Sequence, residues 1–142
     1  QWYWGYEYPD NGNFTYEAFM LQSKDELEED KPFKRMLTTD TKVVVPVNKI
    51  IRMQITAADV LHSWAVPAFG VKKDAVPGRL NETWFKPEKT GIFYGMCSEL
   101  CGVNHQSMPI EIHVVTEQEF NDWVEESKLK YAAKNNLIAN KK

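Results

Sequence analysis

"GIFYGMCSELCGVNHQSMPIEIHVV", residues 91–115, divides into three parts. "GIFYGM" is a short β-prone run entered through the turn "PEKTG". "MPIEIHVV" alternates cleanly, with Ile110, Ile112 and Val114 toward one face and Glu111 and His113 toward the other. Between them "CSELCGVNHQSM" has no period and holds both cysteines of the chain. A strand, a chemically rich loop and an alternating strand argue for a β-sandwich or barrel. On this reading His113 is an exposed strand residue and no ligand.

The same grammar continues outward. "GRLNETWFK" and "DVLHSWAV" are strand signals, the latter with His62 and Trp64 on one face and Leu61 and Ser63 on the other. "KVVVPVNKIIRMQIT" reads as two strands broken near Pro46 to Lys49. "FTYEAFML" alternates loosely, and "QWYWGYEY" is a β-rich run closed by the turn "YPDNGN". Its aromatics suit either a strand or a membrane boundary. "QSKDELEEDKPFK", residues 22–34, reads as a solvated acidic loop. At the other end "TEQEF" is a capping box, Thr116 the N-cap and Glu119 three residues on. Phe120, Trp123, Val124, Ser127 and Tyr131 then lay an apolar stripe along a short helix, and "NNLIANKK" is expected to fray. The expected fold is all-β, a sandwich or barrel over residues 1–115, with a C-terminal helix and tail over 116–142.

Bulk properties narrow the function. The 142 residues suffice for one domain with a sizeable core. A net charge of −3 argues against nucleic acid and for a basic partner. No apolar run approaches the roughly 18 residues of a spanning helix. Two cysteines are too few for a disulfide framework. No carboxylate dyad, Ser-His-Asp pattern or phosphate loop stands out.

The loop at 97–108 carries the chemistry. Cys101, His105 and Met108 form C-x3-H-x2-M. Thiolate, imidazole and thioether suit copper, and a blue-copper set would need a second histidine, for which His62 is the candidate. Cys97 is then surplus, and two thiolates with two imidazoles can bridge two metals. Three other readings stay open at this point. Cys97 and Cys101 could form a disulfide, which leaves His105 and Met108 unexplained. Cys97, Cys101, His105 and His62 match the ligand count of a zinc-stabilised interaction domain, for which Met108 has no use. A mononuclear copper carrier has no use for Cys97.

On these residues, and on "QWYWGYEY", "VLHSWAVPAFGVKKDAVPGR" and "YGMCSELCGVNHQSMPI" in that order, the chain closely resembles subunit 2 of cytochrome c oxidase, specifically its copper-A domain. The resemblance covers most of residues 1–115. It implies a cupredoxin-like Greek-key β-barrel and a dinuclear copper centre held by His62, Cys97, Cys101, His105 and Met108. It also implies that Glu99 gives its backbone carbonyl to copper, while its carboxylate helps hold magnesium at the interface with the catalytic haem-copper subunit. Cytochrome c would dock on the chain and its electrons would pass to haem in that subunit. Trp2 matches the tryptophan that receives the electron, and Glu7, Asp10, Asp40 and Asp59 are the docking acids in family-like stretches.

The family carries two transmembrane helices before the aromatic run, so membrane attachment is expected through helices that this chain does not include. The expected place is the outer face of a bacterial inner membrane, or the mitochondrial inner membrane facing the intermembrane space. The copper domain of nitrous oxide reductase uses a similar loop, but there an aromatic is typical between the cysteines, and Glu99 argues for the oxidase.

Overall fold

The computed structural model describes residues 2–103 and 105–139. Gln1, at the start of the aromatic run, Asn104 in the loop, and residues 140–142 of the tail lie outside the described residues. Nine strands and one helix form among the described residues: β1 (Trp4–Tyr8), β2 (Phe14–Ala18), β3 (Val43–Pro46), β4 (Ile51–Ile55), β5 (His62–Val66), β6 (Val71–Ala75), β7 (Asn81–Phe85), β8 (Gly91–Cys97), β9 (Pro109–Val115) and α1 (Glu117–Ala139). The expected strands and capped helix all form. The helix has 23 residues, longer than the short helix expected, and runs past the start of "NNLIANKK".

The strands make a five-stranded sheet in the order β3-β9-β8-β5-β6, with two-stranded ribbons β1-β2 and β4-β7. β3 runs parallel to β9, and the other pairs are antiparallel. The main core lies between these layers and includes Val43, Val45, Ile55, Trp64, Val66, Phe85, Ile110, Ile112 and Val114. Cys97 and Met108 belong to the same core. The loop at 97–108 is therefore rooted in the packed interior.

Gly95 fixes how closely β5 and β8 approach. A Cβ added there would sit 2.0 Å from the Ala65 carbonyl oxygen, so no larger residue fits. Two residues on, Cys97 pairs in register with Trp64, two residues past His62. The glycine thus sets the distance between the strands that carry His62 and Cys97.

A second core lies under α1, where Val124 and Tyr131 pack on Phe14 and Tyr16, with Tyr8, Phe120 and Trp123 around them. The Phe120-to-Tyr131 stripe is the buried face that the helical spacing predicts. Thr116 Oγ1 accepts the Glu119 backbone N–H at 3.3 Å, the N-cap half of the capping box.

The outer face of β9 departs from expectation. Glu111 is buried, with no exposed side-chain surface, and His113 is 13% exposed. The cause is the segment before β3. Lys31 reaches inward and its Nζ donates to Glu111 Oε2 at 2.8 Å and to the Thr39 carbonyl at 2.7 Å. His113 Nε2 lies 2.8 Å from the same carboxylate oxygen, and the Thr39 backbone N–H reaches Oε1 at 3.3 Å. The acidic loop is therefore not simply solvated. Its acids Asp25, Glu26, Glu28 and Asp30 are exposed, but Leu21 and the Lys31 side chain are inside.

Candidate metal centre

His62 is the first residue of β5 and Cys97 the last of β8, so both stand at the same end of the main sheet. Ser98 donates its backbone N–H to the Ser63 carbonyl at 3.1 Å, extending the β5–β8 pairing one step past Cys97. The loop then turns back. The Cys97 backbone N–H meets the Met108 carbonyl at 3.2 Å, which closes the loop at its base. Gly102 has φ +126, a conformation that disfavours a side chain, and His105 opens a short 3₁₀ turn just after it.

The donors converge. Cys97 Sγ lies 3.9 Å from Cys101 Sγ and 3.8 Å from His62 Nδ1. Cys101 Sγ lies 3.5 Å from His105 Nδ1 and 3.8 Å from Met108 Sδ. The Glu99 carbonyl oxygen is 3.3 Å from Cys97 Sγ. The ligand atoms of His62, Cys97 and Cys101 all lie within 4.8 Å of one another, a spacing that can hold a metal ion. Both cysteines are free thiols. Burial, and then the neighbouring Cys97, push the Cys101 thiol up to about 11.

Supporting contacts orient the donors. Asp59 Oδ1 lies 3.0 Å from His62 Nε2, so an N–H there leaves the Nδ1 lone pair toward Cys97. Trp4 donates its indole N–H to the Met108 carbonyl at 3.2 Å and meets the His62 ring edge-on at 6.1 Å. His62, Cys97 and Met108 are buried, while His105 and Cys101 are half-buried. The mixture of two thiols, two imidazoles, a thioether and a carbonyl fits copper better than zinc, which has no need of the thioether.

Trp2 is exposed, and its indole packs on Gly102, 3.3 Å from where a Cβ there would stand. The Glu99 side chain points outward, although its carbonyl faces Cys97. Glu7, Asp10, Asp40 and Asp59 are all exposed, but they do not form one set. Glu7, Asp40 and Asp59 line a common cleft, and Asp10 does not. Asp40 and Asp59 also have structural roles. Asp40 Oδ1 accepts the Phe19 and Thr41 backbone N–H groups at 2.8 Å, and Asp59 accepts from Val60 and faces His62. The orienting contacts of Trp4 and Asp59 escape the sequence reading, since neither residue stands in the loop.

The family described as the periplasmic domain of cytochrome c oxidase subunit II matches residues 1–115. The chain belongs to this family. It is 49% identical over 143 residues to cytochrome c oxidase subunit 2 of Cereibacter sphaeroides, an alignment covering 90% of this chain and 47% of that protein. The chain thus spans about half the length of the curated relatives it matches.

The crystal structure of the periplasmic domain of subunit II of Bradyrhizobium japonicum is 57% identical, with a TM-score of 0.83, covering 92% of this chain and 89% of that one. The mixed disulfide intermediate between a thioredoxin-like protein and a subunit II of cytochrome c oxidase is also similar. It is 56% identical, with a TM-score of 0.78 and coverage of 92% and 87%. The chain therefore has the expected cupredoxin-like fold with one C-terminal helix.

Proposed function

We propose that the chain is the electron-entry domain of a respiratory terminal oxidase, taking electrons from cytochrome c and passing them to haem in the catalytic subunit. The observation that carries this reading is the pair of thiols 3.9 Å apart, flanked by two imidazole Nδ1 atoms and one thioether. His62, Cys97, Cys101, His105, Met108 and the Glu99 carbonyl would hold two copper ions. A dinuclear copper centre there supplies one-electron chemistry with the charge spread over both metals.

The chain's own residues do the rest. Burial of His62, Cys97 and Met108 keeps water from three of the donors. Asp59 and Trp4 hold His62 and Met108 in place, so little moves when charge changes. Trp2, on Gly102, is the landing point for the electron. Glu7, Asp10, Asp40 and Asp59 attract a basic cytochrome. The outward carboxylate of Glu99 is free to share magnesium with the catalytic subunit while its carbonyl faces inward.

The family's periplasmic domain supports the outer face of a bacterial inner membrane as the location, with attachment through segments outside this chain. Among the described residues no helix is long and apolar enough to cross a membrane. A thioredoxin-like partner fits as well, since an oxidised Cys97–Cys101 pair would have to be reduced before metal could bind.

Metal analysis with a visible spectrum tests the reading. After reconstitution under reducing conditions, two coppers per chain are expected, and Cys97→Ser should abolish that stoichiometry. One copper with a mononuclear blue spectrum, or a colourless zinc form, would overturn the reading.

A further inference from the structure

Two openings reach the donor cluster, and their chemistry is opposite. One is a shallow apolar depression formed by Val60, Leu61, Leu100, Cys101 and Gly102. The other is a cleft of about 630 Å³ whose lining includes the donors His62 and Met108. Glu7, Glu17, Asp40 and Asp59 also line it, and among its described lining residues there is no Lys or Arg. Part of its floor is one face of the β1-β2 ribbon. There Gly5 stands opposite Glu17 and Glu7 opposite Thr15. A Cβ at Gly5 would meet nothing within 4 Å, so the glycine leaves an open trough in mid-strand between the carboxylates.

We propose that this cleft is the route by which copper ions reach the donors, an inference that rests on the copper reading above. Glu7, Glu17 and Asp40 in one concave surface focus a field that gathers cations. Their oxygens are hard donors, which attract Cu(I) without trapping it. Softer imidazole, thioether and thiolate donors follow at the inner end. His62 stands at the boundary, with Nε2 toward Asp59 at 3.0 Å and Nδ1 toward Cys97 at 3.8 Å. Each thiol that binds Cu(I) gives its proton to solvent and forms an S–Cu bond as a solvent or acetonitrile ligand leaves the ion, with no change of oxidation state. The apolar opening offers a bare ion no such attraction and suits a protein surface instead.

The test is anaerobic stopped-flow mixing of the reduced chain with the acetonitrile complex of Cu(I), following copper–thiolate absorbance in the ultraviolet. Wild-type loading should slow as ionic strength rises. Glu7→Gln combined with Glu17→Gln should slow it a few-fold at low salt and remove most of that salt dependence. Gly5→Phe should slow loading while keeping the salt dependence, because it fills the trough and changes no charge. Glu88→Gln, outside the cleft, should load at the wild-type rate. All variants should reach wild-type copper content, which also shows that they fold. Wild-type rates in both the double variant and Gly5→Phe would overturn the route and leave the copper reading intact. Slowing by Val60→Trp in place of Gly5→Phe would move entry to the apolar opening. A wild-type chain that takes up no copper would sink both proposals.

Discussion

The loop at 97–108 and the segment that covers β9, residues 20–42, are both irregular and both rich in polar side chains, yet they use them oppositely. The loop gathers sulfur and nitrogen donors at the edge of the core and brings Cys97, Cys101 and His105 toward one another and toward His62. The covering segment drives Lys31 into the protein and spends its charge on Glu111. The first arrangement brings together donor atoms at a spacing that can hold a metal ion. The second is already complete, since Lys31, His113 and Thr39 satisfy both Glu111 oxygens. Polar residues at an unpaired end of a sheet thus mean chemistry, and polar residues that close on one another mean fastening.

Gly95→Ala should erase the distinction, because it strikes the frame that both regions share. The new Cβ would meet the Ala65 oxygen at 2.0 Å, and β5 and β8 would have to part. The expected loss of stability exceeds the about 1–3 kcal/mol of ordinary over-packing. Copper uptake should fall with it, since His62 and Cys97 ride on those two strands. A folded Gly95→Ala chain with full copper content would show that the strand spacing does not set the donor geometry.

Glu111→Ala should separate the two regions. It leaves Lys31 buried without its partner, a change that costs about 3–5 kcal/mol when one member of a buried pair is removed. Urea unfolding should show that loss, while copper content of the folded fraction stays at the wild-type value. Lys31→Met, which removes the charge but keeps the length, should restore part of the stability in the Glu111→Ala background. A Glu111→Ala chain of unchanged stability would mean that the covering segment is held by its apolar contacts alone.

A rise in pH should move the loop and the helix side of the fold in opposite directions. Burial pushes Tyr8 up to about 12 and raises Tyr6 and Tyr16 as well. An unfolded tyrosine ionises near 10. The stability these phenols contribute is therefore complete below about pH 10 and is lost as pH rises through about 12. The Cys101 thiol is raised from 9 to about 11, so over the same range more thiolate forms and metal binding strengthens. Urea midpoints should fall steeply above pH 10, with a shallower fall in Tyr8→Phe, while copper affinity below the unfolding range climbs. Parallel curves for Tyr8→Phe and wild type would remove Tyr8 from the alkaline transition.

Legibility in the sequence followed the same division. The loop was readable because its donors are contiguous and because C-x3-H-x2-M has few uses. Most strands were readable from β-prone runs and alternation, and the helix from Thr116 and the stripe it begins, while β6 (Val71–Ala75) went unread. His113 misled because alternation reports only that a face is polar, and what covers it comes from residue 31, some 80 positions away. Trp4 and Asp59 went unread as orienting residues for a similar reason. Their partners, the Met108 carbonyl and His62 Nε2, are defined only once β1 and the turn before β5 are packed. Four exposed acids were readable as charge, but only the fold separates Asp10 from the three that share a cleft.

Trp2→Phe should have the smallest effect on the fold and the most selective effect on function. Trp2 is 39% exposed and its indole lies over Gly102, so the change should stay within about 0.5 kcal/mol. It alters no donor and no charge, so copper content, copper spectrum and cytochrome affinity should match wild type. If the indole is where the electron lands, the smaller ring widens the gap to the donor haem, and transfer falls steeply with each added ångström. Entry from cytochrome c into the assembled oxidase should then slow severely in rapid-mixing kinetics. If Trp2 only caps Gly102 beside the apolar depression, entry should be unchanged once cytochrome is bound. Unchanged entry with intact copper removes Trp2 from the path. A loss confined to binding makes it part of the docking surface instead, and would group it with the apolar surface of Val60, Leu61 and Leu100.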